Sequence, residues 1–90
     1  MSRKAKITDI LTKNFNIYKC TITDVSKEHE GHSEYIDGQE THFEIMLISN
    51  DFENKTKIER HRMVNKYLIE EFKTSLHSIT YKLLTINESK

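Results

Sequence analysis

Histidines are the side chains of this 90-residue sequence best suited to chemistry, and there are five of them: His29, His32, His42, His61 and His77. A neutral imidazole is a good ligand for iron, zinc or copper. His77 stands immediately before the last predicted strand, where a side chain can be exposed while its backbone is held. The sequence therefore allows a metal ligand at His77, with His29 and His32 in a loop able to approach it.

Such a metal site would be incomplete within this chain. His77 and one loop histidine supply only two ligands, so the missing ligands would have to come from a partner protein. Two simpler interpretations stay open: the loop histidines are solvated polar side chains, and His77 is a turn residue bonded to the backbone. His61 has no second histidine four residues away, which excludes a zincin-type pair on its helix.

The other common catalytic arrangements are missing from the sequence. No Ser-His-Asp, Cys-His or paired-carboxylate pattern stands out, and no glycine-rich phosphate loop is present. The single cysteine, Cys20, falls on the more apolar face of a predicted strand, where a small core residue is favoured over a ligand. One cysteine cannot form an internal disulfide, and this fits a reducing compartment. We therefore expect a non-enzymatic protein.

A group of basic residues occupies the turn before the second predicted helix and the first turns of that helix. Cations at this end of a helix oppose its dipole, which allows a local role for them, although a solvated charged face is the simpler interpretation. Fourteen basic and fourteen acidic residues give zero net charge, which argues against strong phosphate binding. The candidates for a partner or nucleic-acid surface are Arg60, His61, Arg62 and Lys57, with Lys55 and Lys66 beside them.

Hydrophobic periodicity predicts two helices, over residues 4–15 and 56–72. Apolar residues recur at i, i+3, i+4 and i+8 in both segments, and Ile58 is expected to extend the stripe of the second. Thr56 followed by Glu59 predicts a capping box at the start of that helix. The apolar positions are Ile7, Ile10, Leu11 and Phe15 in the first helix, and Val64, Tyr67, Leu68 and Phe72 in the second.

Alternating apolar residues predict three strands, over residues 17–25, 41–49 and 79–84. Tyr18, Cys20 and Ile22 are expected to share the apolar face of the first strand. The long segment 26–40 contains both glycines and is predicted to be a loop, while Phe52 is expected to plug the turn over residues 50–55. Residues 87–90 form a polar end that is expected to fray.

This order of elements predicts an α+β domain over residues 1–90, with helices on one face of a three-stranded mixed sheet. A hairpin joins the first two strands, and the second helix crosses over to the third. The composition, 36% hydrophobic and 31% charged, is that of an ordinary folded domain. No apolar run approaches the length of a membrane span and no secretory signal is recognisable, so a cytoplasmic protein is expected.

Several motifs follow one another along the chain. They are Gly-Gln-Glu-Thr-His-Phe-Glu-Ile (38–45), Ser-Asn-Asp-Phe-Glu-Asn-Lys (49–55), Arg60-His61-Arg62-Met63-Val64 and His77-Ser78-Ile79. In this order, and over nearly the whole chain, they resemble the BolA family. The end of the first strand, Asp24-Val25-Ser26, and the His-Glu-Gly-His loop also fit.

The resemblance implies a fold related to the type II KH domain and partnership with monothiol glutaredoxins. It further implies a role in iron–sulfur cluster assembly, trafficking or iron sensing, through a [2Fe-2S] cluster shared with glutaredoxin and its glutathione. The family's C-terminal-strand ligand corresponds to His77, and its loop ligand to His32, with His29 in reserve. His61 belongs to the family's Arg-His-Arg motif, for which a role beside the ligands or in partner docking is implied.

The resemblance also leaves a rival function open, that of a DNA-binding transcriptional regulator with a KH-like fold. The corresponding turn, residues 53–56, lacks the glycines of a nucleic-acid-binding GXXG loop. Two features depart from the family pattern. Asn54 stands where glycine is usual, which is expected to alter the turn, and the sequence leaves room for only a short C-terminal helix or none.

Overall fold

Two helices lie against one face of a three-stranded sheet in the computed structural model, which describes residues 2–26, 41–74 and 76–90. This confirms the predicted α–β–β–α–β order and the α+β class. None of the helices within these ranges is long and apolar enough to cross a membrane. The elements are α1 (Arg3–Asn14), β1 (Lys19–Asp24), β2 (His42–Ile48), α2 (Lys57–Phe72) and β3 (Ser78–Leu84), with short 3-10 turns at Asn50–Phe52 and Asn87–Ser89.

The central strand of the sheet is β2. It pairs antiparallel with β1 and parallel with β3, as the predicted hairpin and helical crossover require. Phe43 lies opposite Asp24 on one side and Ile79 on the other. The end of β1 and the beginnings of β2 and β3 therefore meet at one end of the sheet, and His77 lies there.

The core lies between the helices and the alternating apolar residues of the sheet. Phe52 is fully buried, so its predicted role as a plug is confirmed. Tyr18 was expected on the apolar face of β1 but is 64% exposed, because it precedes the strand at an edge of the sheet. The central core side chains are Ile7 and Leu11 of α1, Ile22 of β1, Phe43, Ile45 and Leu47 of β2, and Val64 and Leu68 of α2.

The buried stripe of α2 differs from the predicted one at its beginning. Ile58 is 63% exposed, so the expectation that it extends the apolar stripe was wrong. Arg60 occupies the buried position instead, in register with Val64 and Leu68 at intervals of four residues. Ile58 precedes Arg60 by two residues and so points about 200° away from it around the helix.

The turn before α2 contains a residue with positive φ, and asparagine fills that position. Asn54 adopts φ 60°, the left-handed conformation for which glycine is usually chosen and which asparagine tolerates better than most residues. The predicted capping box follows: Thr56 Oγ1 accepts from the Glu59 N–H at 3.1 Å, and Glu59 Oε1 accepts from the Thr56 N–H at 2.9 Å.

The C-terminal residues do not fray as expected. Asn87–Ser89 form a single 3-10 turn, in line with the expected short C-terminal helix. Glu88 fixes this turn, because its carboxylate accepts from Arg60 Nη1 at 2.6 Å and from the Thr85 N–H at 2.8 Å. Sequence polarity suggested a free end because the partner of Glu88 lies 28 residues earlier in the chain.

Candidate functional site

His77 presents an exposed side chain from a fixed backbone. Its N–H donates to the Thr41 carbonyl at 2.8 Å, and the Ser78 N–H donates to the same oxygen at 3.2 Å. The turn interpretation of His77 is therefore correct for the main chain, but this hydrogen bond does not involve the imidazole. The side chain itself is exposed.

The ring of His77 stacks against that of His42. The two centroids are 5.8 Å apart and the planes differ by 25°. His42 is only 4% exposed, and its Nδ1 lies 2.8 Å from Thr41 Oγ1. The exposed histidine thus rests on a buried one.

The two attachments of segment 27–40 lie at this same end of the sheet. Ser26 Oγ accepts from the Thr41 N–H at 2.9 Å and from the His42 N–H at 3.2 Å. The chain therefore leaves the sheet at Ser26 and returns at Thr41, next to His77. His32 and the reserve ligand His29 lie within 27–40, outside the described residues, and their assignment stays a prediction.

A shallow groove of about 350 Å³ between α2 and β3 brings His61 and His77 together. The edge of the His61 ring meets the Tyr81 ring, with centroids 4.8 Å apart and planes at 86°. Tyr81 donates from its hydroxyl to Asn65 Oδ1 at 2.9 Å, and burial raises the pKa of that hydroxyl, so it remains a neutral donor. Ile69, an exposed apolar side chain, lies on the same groove.

An adjoining depression carries positive charge along the same helix–strand junction. Lys57 lines it together with His61, Tyr81 and Lys82. Lys82 was not among the predicted surface residues, because strand alternation identified it only as a polar position. The parallel placement of β3 beside β2, under α2, is what brings Lys82 near Lys57.

Arg60 is a buried residue that stabilises the fold rather than an exposed residue of the basic surface. It is 7% exposed, and its guanidinium donates to the Lys55 carbonyl, to the Leu83 carbonyl and to Glu88. The hydrogen bond from Arg60 is the main reason why the pKa of Glu88 falls to about 2. The partner surface that we consider below therefore leaves Arg60 out.

Arg62 lies on a different side of α2. It is exposed and shares a surface depression with Lys55, Glu59, Met63 and Lys66. This basic patch is separate from the groove that holds His61 and His77. The predicted basic residues thus lie in three places. Arg60 is buried, Lys57 and His61 lie along the α2–β3 junction, and Arg62 lies with Lys55 and Lys66 on another side of α2.

The ligand set for a metal is incomplete in the described part of the chain. Across 2–26, 41–74 and 76–90, no group of three or more histidine, cysteine or acidic side chains could hold an ion. Cys20 is half-buried against the core, and burial raises the pKa of its thiol, which disfavours the thiolate that binds metal. Exposed His77 fits a shared site to which other ligands come from elsewhere.

The family model for BolA-like proteins matches residues 11–88. The DNA-binding transcriptional regulator BolA of Haemophilus influenzae is 36% identical over 90 residues, covering 100% of this chain and 84% of that protein. Protein BOLA1 of Arabidopsis thaliana, chloroplastic, is 33% identical over 90 residues, covering 98% of this chain. The solved BolA domain of SufE1 from Arabidopsis thaliana superposes with a TM-score of 0.87 at 32% identity, covering 98% of this chain and 96% of that one.

Some of these relatives are much longer than the present sequence. The chain spans 56% of BOLA1 and 22% of the SufE-like protein 1 of Arabidopsis thaliana. The match to the family model nevertheless includes both the end of the sheet that carries His42 and His77 and the groove between α2 and β3. This chain belongs to the BolA-like family.

Proposed function

We propose that this chain is a non-enzymatic, cytoplasmic partner of a monothiol glutaredoxin in iron–sulfur cluster assembly, trafficking or iron sensing. The observation that carries the proposal is the exposed side chain of His77, whose main-chain N–H donates to the Thr41 carbonyl at the end of the sheet where segment 27–40 leaves and returns. A histidine from that segment would be the second ligand. His32 is the first choice for this second ligand and His29 the reserve.

The donor set fits a shared [2Fe-2S] cluster. His77 and His32 would supply imidazoles, while the glutaredoxin and its glutathione would supply thiolates. Neutral imidazoles in place of thiolates raise the reduction potential of such a cluster, as in Rieske centres. A protonated imidazole no longer binds iron, so protonation of these ligands would allow the cluster to be transferred.

The groove between α2 and β3 is the proposed docking surface for the glutaredoxin. It begins at His77, continues past His61 and the exposed Ile69, and meets the depression lined by Lys57 and Lys82. An exposed apolar side chain in the groove, with a cationic depression next to it, suits a partner whose facing surface carries an apolar part beside an acidic part. His61 would then contact the partner beside the cluster.

The test is anaerobic reconstitution with a monothiol glutaredoxin, glutathione, iron and sulfide, followed by visible absorption and circular dichroism. Wild type should give a heterodimer spectrum distinct from that of glutaredoxin alone, and His77→Ala should lose it. His32→Ala and His29→Ala, compared side by side, identify the loop ligand. If wild type neither binds the glutaredoxin nor alters its spectrum, the proposed function is wrong.

A second candidate is a DNA-binding regulator, favoured by the exposed basic patch of Lys55, in the turn before α2, with Arg62 and Lys66 on α2. The Haemophilus influenzae relative is named as such a regulator. Against it stand zero net charge and the absence of glycine from residues 53–56.

The DNA-binding candidate predicts that Arg62→Ala with Lys66→Ala weakens DNA affinity and reduces its dependence on salt. Fluorescence anisotropy at several salt concentrations measures both. Arg60→Ala is unsuitable for this test, because Arg60 is buried and its loss would affect the fold. Affinity that is absent in wild type, or unchanged in the double variant, would exclude this surface as a DNA site.

A further inference from the structure

His42 is a buried histidine that the proposed function does not use. A strand position buried to this degree would normally hold an apolar residue. Its ring instead lies between the Thr41 hydroxyl, 2.8 Å from Nδ1, and the exposed ring of His77. A buried polar side chain therefore lies directly beside the candidate ligand His77.

A set of hydrogen bonds connects His42 to the end of β1. Asp24 Oδ1 accepts from the Ser26 hydroxyl at 2.6 Å and from the Ser26 N–H at 2.9 Å. The Ser26 oxygen in turn accepts from the main-chain N–H groups of Thr41 and His42. Ser26, Thr41 and His42 together form what we call the histidine seat.

The seat fixes His77 in two separate ways. The Thr41 carbonyl accepts from the His77 N–H and so fixes the point from which the side chain leaves the backbone. The His42 ring then lies beside the His77 ring in an offset stack, at 5.8 Å between centroids. Each of the three β-segments at this end of the sheet is thus tied to the next.

We propose that the histidine seat positions the His77 imidazole for metal ligation, with His42 as the positioning residue. This inference rests on the proposed function and deepens it. An exposed imidazole without a neighbour samples several rotamers and loses that freedom on binding a metal. A ring already held against His42 loses less, so the same ligand binds more tightly.

Residues that orient a metal ligand affect metal retention far more than their distance from the metal suggests. Their substitution commonly costs roughly 10–100-fold in affinity. The seat therefore predicts a large effect from His42, which is not itself assigned as a ligand. A purely structural role for His42 predicts something different, namely a lower stability with no specific change at His77.

The first measurement uses the isolated protein, before any metal is added. Imidazole ¹H–¹⁵N correlation spectra and side-chain relaxation at one fixed pH report the environment and order of the His77 ring. His42→Ala should shift the His77 signals and increase the mobility of the ring. His42→Phe, which keeps a flat ring, should retain most of the order. Val64→Ala is the matched control, since it opens the core at a fully buried position of α2.

Thr41→Val provides a milder substitution in case His42→Ala does not fold. It keeps the volume of a fully buried residue and its main-chain carbonyl, but removes the hydroxyl beside His42 Nδ1. The His77 ring should become more mobile while the His77 N–H stays protected from hydrogen exchange. Unchanged His77 signals and ring mobility in both His42→Ala and Thr41→Val, or an equal gain in mobility in Val64→Ala, would overturn the seat.

The second measurement uses the complex with glutaredoxin. His42→Ala should lose the [2Fe-2S] spectrum roughly tenfold or more faster than wild type, with partner affinity unchanged. His42→Phe should restore much of the lifetime, and Val64→Ala should behave as wild type. If wild type forms the shared cluster and His42→Ala retains it equally well, the seat is wrong while the proposed function stands. If wild type forms no shared cluster, the proposed function is wrong, and the inference about the histidine seat is wrong with it.

Discussion

At the residue scale, Asn54 adopts a conformation that few residues with a side chain tolerate. Its φ of 60° is the conformation for which glycine is normally chosen, and asparagine bears it at a lower cost than other residues with a side chain. Asparagine is therefore compatible with the turn into α2.

We predict that Asn54→Gly keeps or slightly raises the free energy of unfolding, whereas Asn54→Ala lowers it by about 1 kcal/mol. Alanine has neither the freedom of glycine nor the polar side chain of asparagine in this conformation. Urea unfolding monitored by circular dichroism measures both. Equal stabilities for the alanine and glycine variants would contradict the argument.

Glu88 gives a prediction that depends on pH. Its pKa falls from the ordinary value of 4.5 to about 2 in the folded protein, chiefly because of the hydrogen bond from Arg60 and then that from the Thr85 N–H. A lowered folded pKa stabilises the protein above the unfolded pKa, and that stabilisation is lost as the pH falls from about 4.5 to about 2. Glu88→Gln should therefore show a shallower loss of stability over this range than wild type.

Chemical unfolding at a series of pH values between 2 and 6 tests this prediction. The other carboxylates titrate in both proteins, so only the difference between the two curves reports Glu88. Parallel curves would show that the Arg60–Glu88 contact contributes nothing to pH-dependent stability.

At the element scale, the start of α2 is fixed by local sequence. Thr56 and Glu59 exchange hydrogen bonds between side chain and backbone, as the capping box requires. Thr56→Ala should lower the free energy of unfolding by about 1 kcal/mol, because the Glu59 N–H loses its acceptor. Thr56→Ser is the control, since serine keeps the accepting hydroxyl. Equal losses in the two variants, measured by thermal unfolding, would rule out the cap as the cause.

The C-terminal turn and α2 are joined by one buried side chain. Arg60 donates to the carbonyls of Lys55 and Leu83 and to Glu88, so its removal takes the donor away from three partly buried hydrogen bonds. Arg60→Ala should lower the free energy of unfolding by about 2 kcal/mol or more. The neighbouring exposed Arg62→Ala should change it by less than about 0.5 kcal/mol. Similar effects of the two in urea titrations would contradict the anchoring role.

At the scale of the whole molecule, the fold creates a continuous surface from residues that are far apart in sequence. His77, His61, Ile69 and Lys57 lie along the junction of α2 and β3. If this junction is the docking surface, Ile69→Asp should weaken glutaredoxin binding at least severalfold without changing stability, because Ile69 is exposed.

Isothermal titration calorimetry with glutaredoxin and glutathione measures this change. Thr12→Asp is the matched control, since Thr12 is an exposed residue on the outer side of α1. An equal loss of affinity in both variants, or none in Ile69→Asp, would place the partner elsewhere.

The sequence by itself determined which segments become helices and strands, where α2 begins, and that Phe52 is buried. Each of these depends on neighbours within a few residues: the periodicity of apolar side chains, and the spacing of Thr56 and Glu59. The motifs also identified His77 as a candidate ligand before any contact was known. The assignments of His32, of the glutaredoxin and of the shared cluster remain predictions.

Only the tertiary structure decided what Arg60 and His42 do. Arg60 is buried because Glu88 and the Leu83 carbonyl, more than 20 residues away, receive its guanidinium. His42 lies against His77 because β2 and β3 run parallel and side by side, which brings together residues 35 positions apart. No local pattern encodes such contacts, since they arise when separate segments pack around one core.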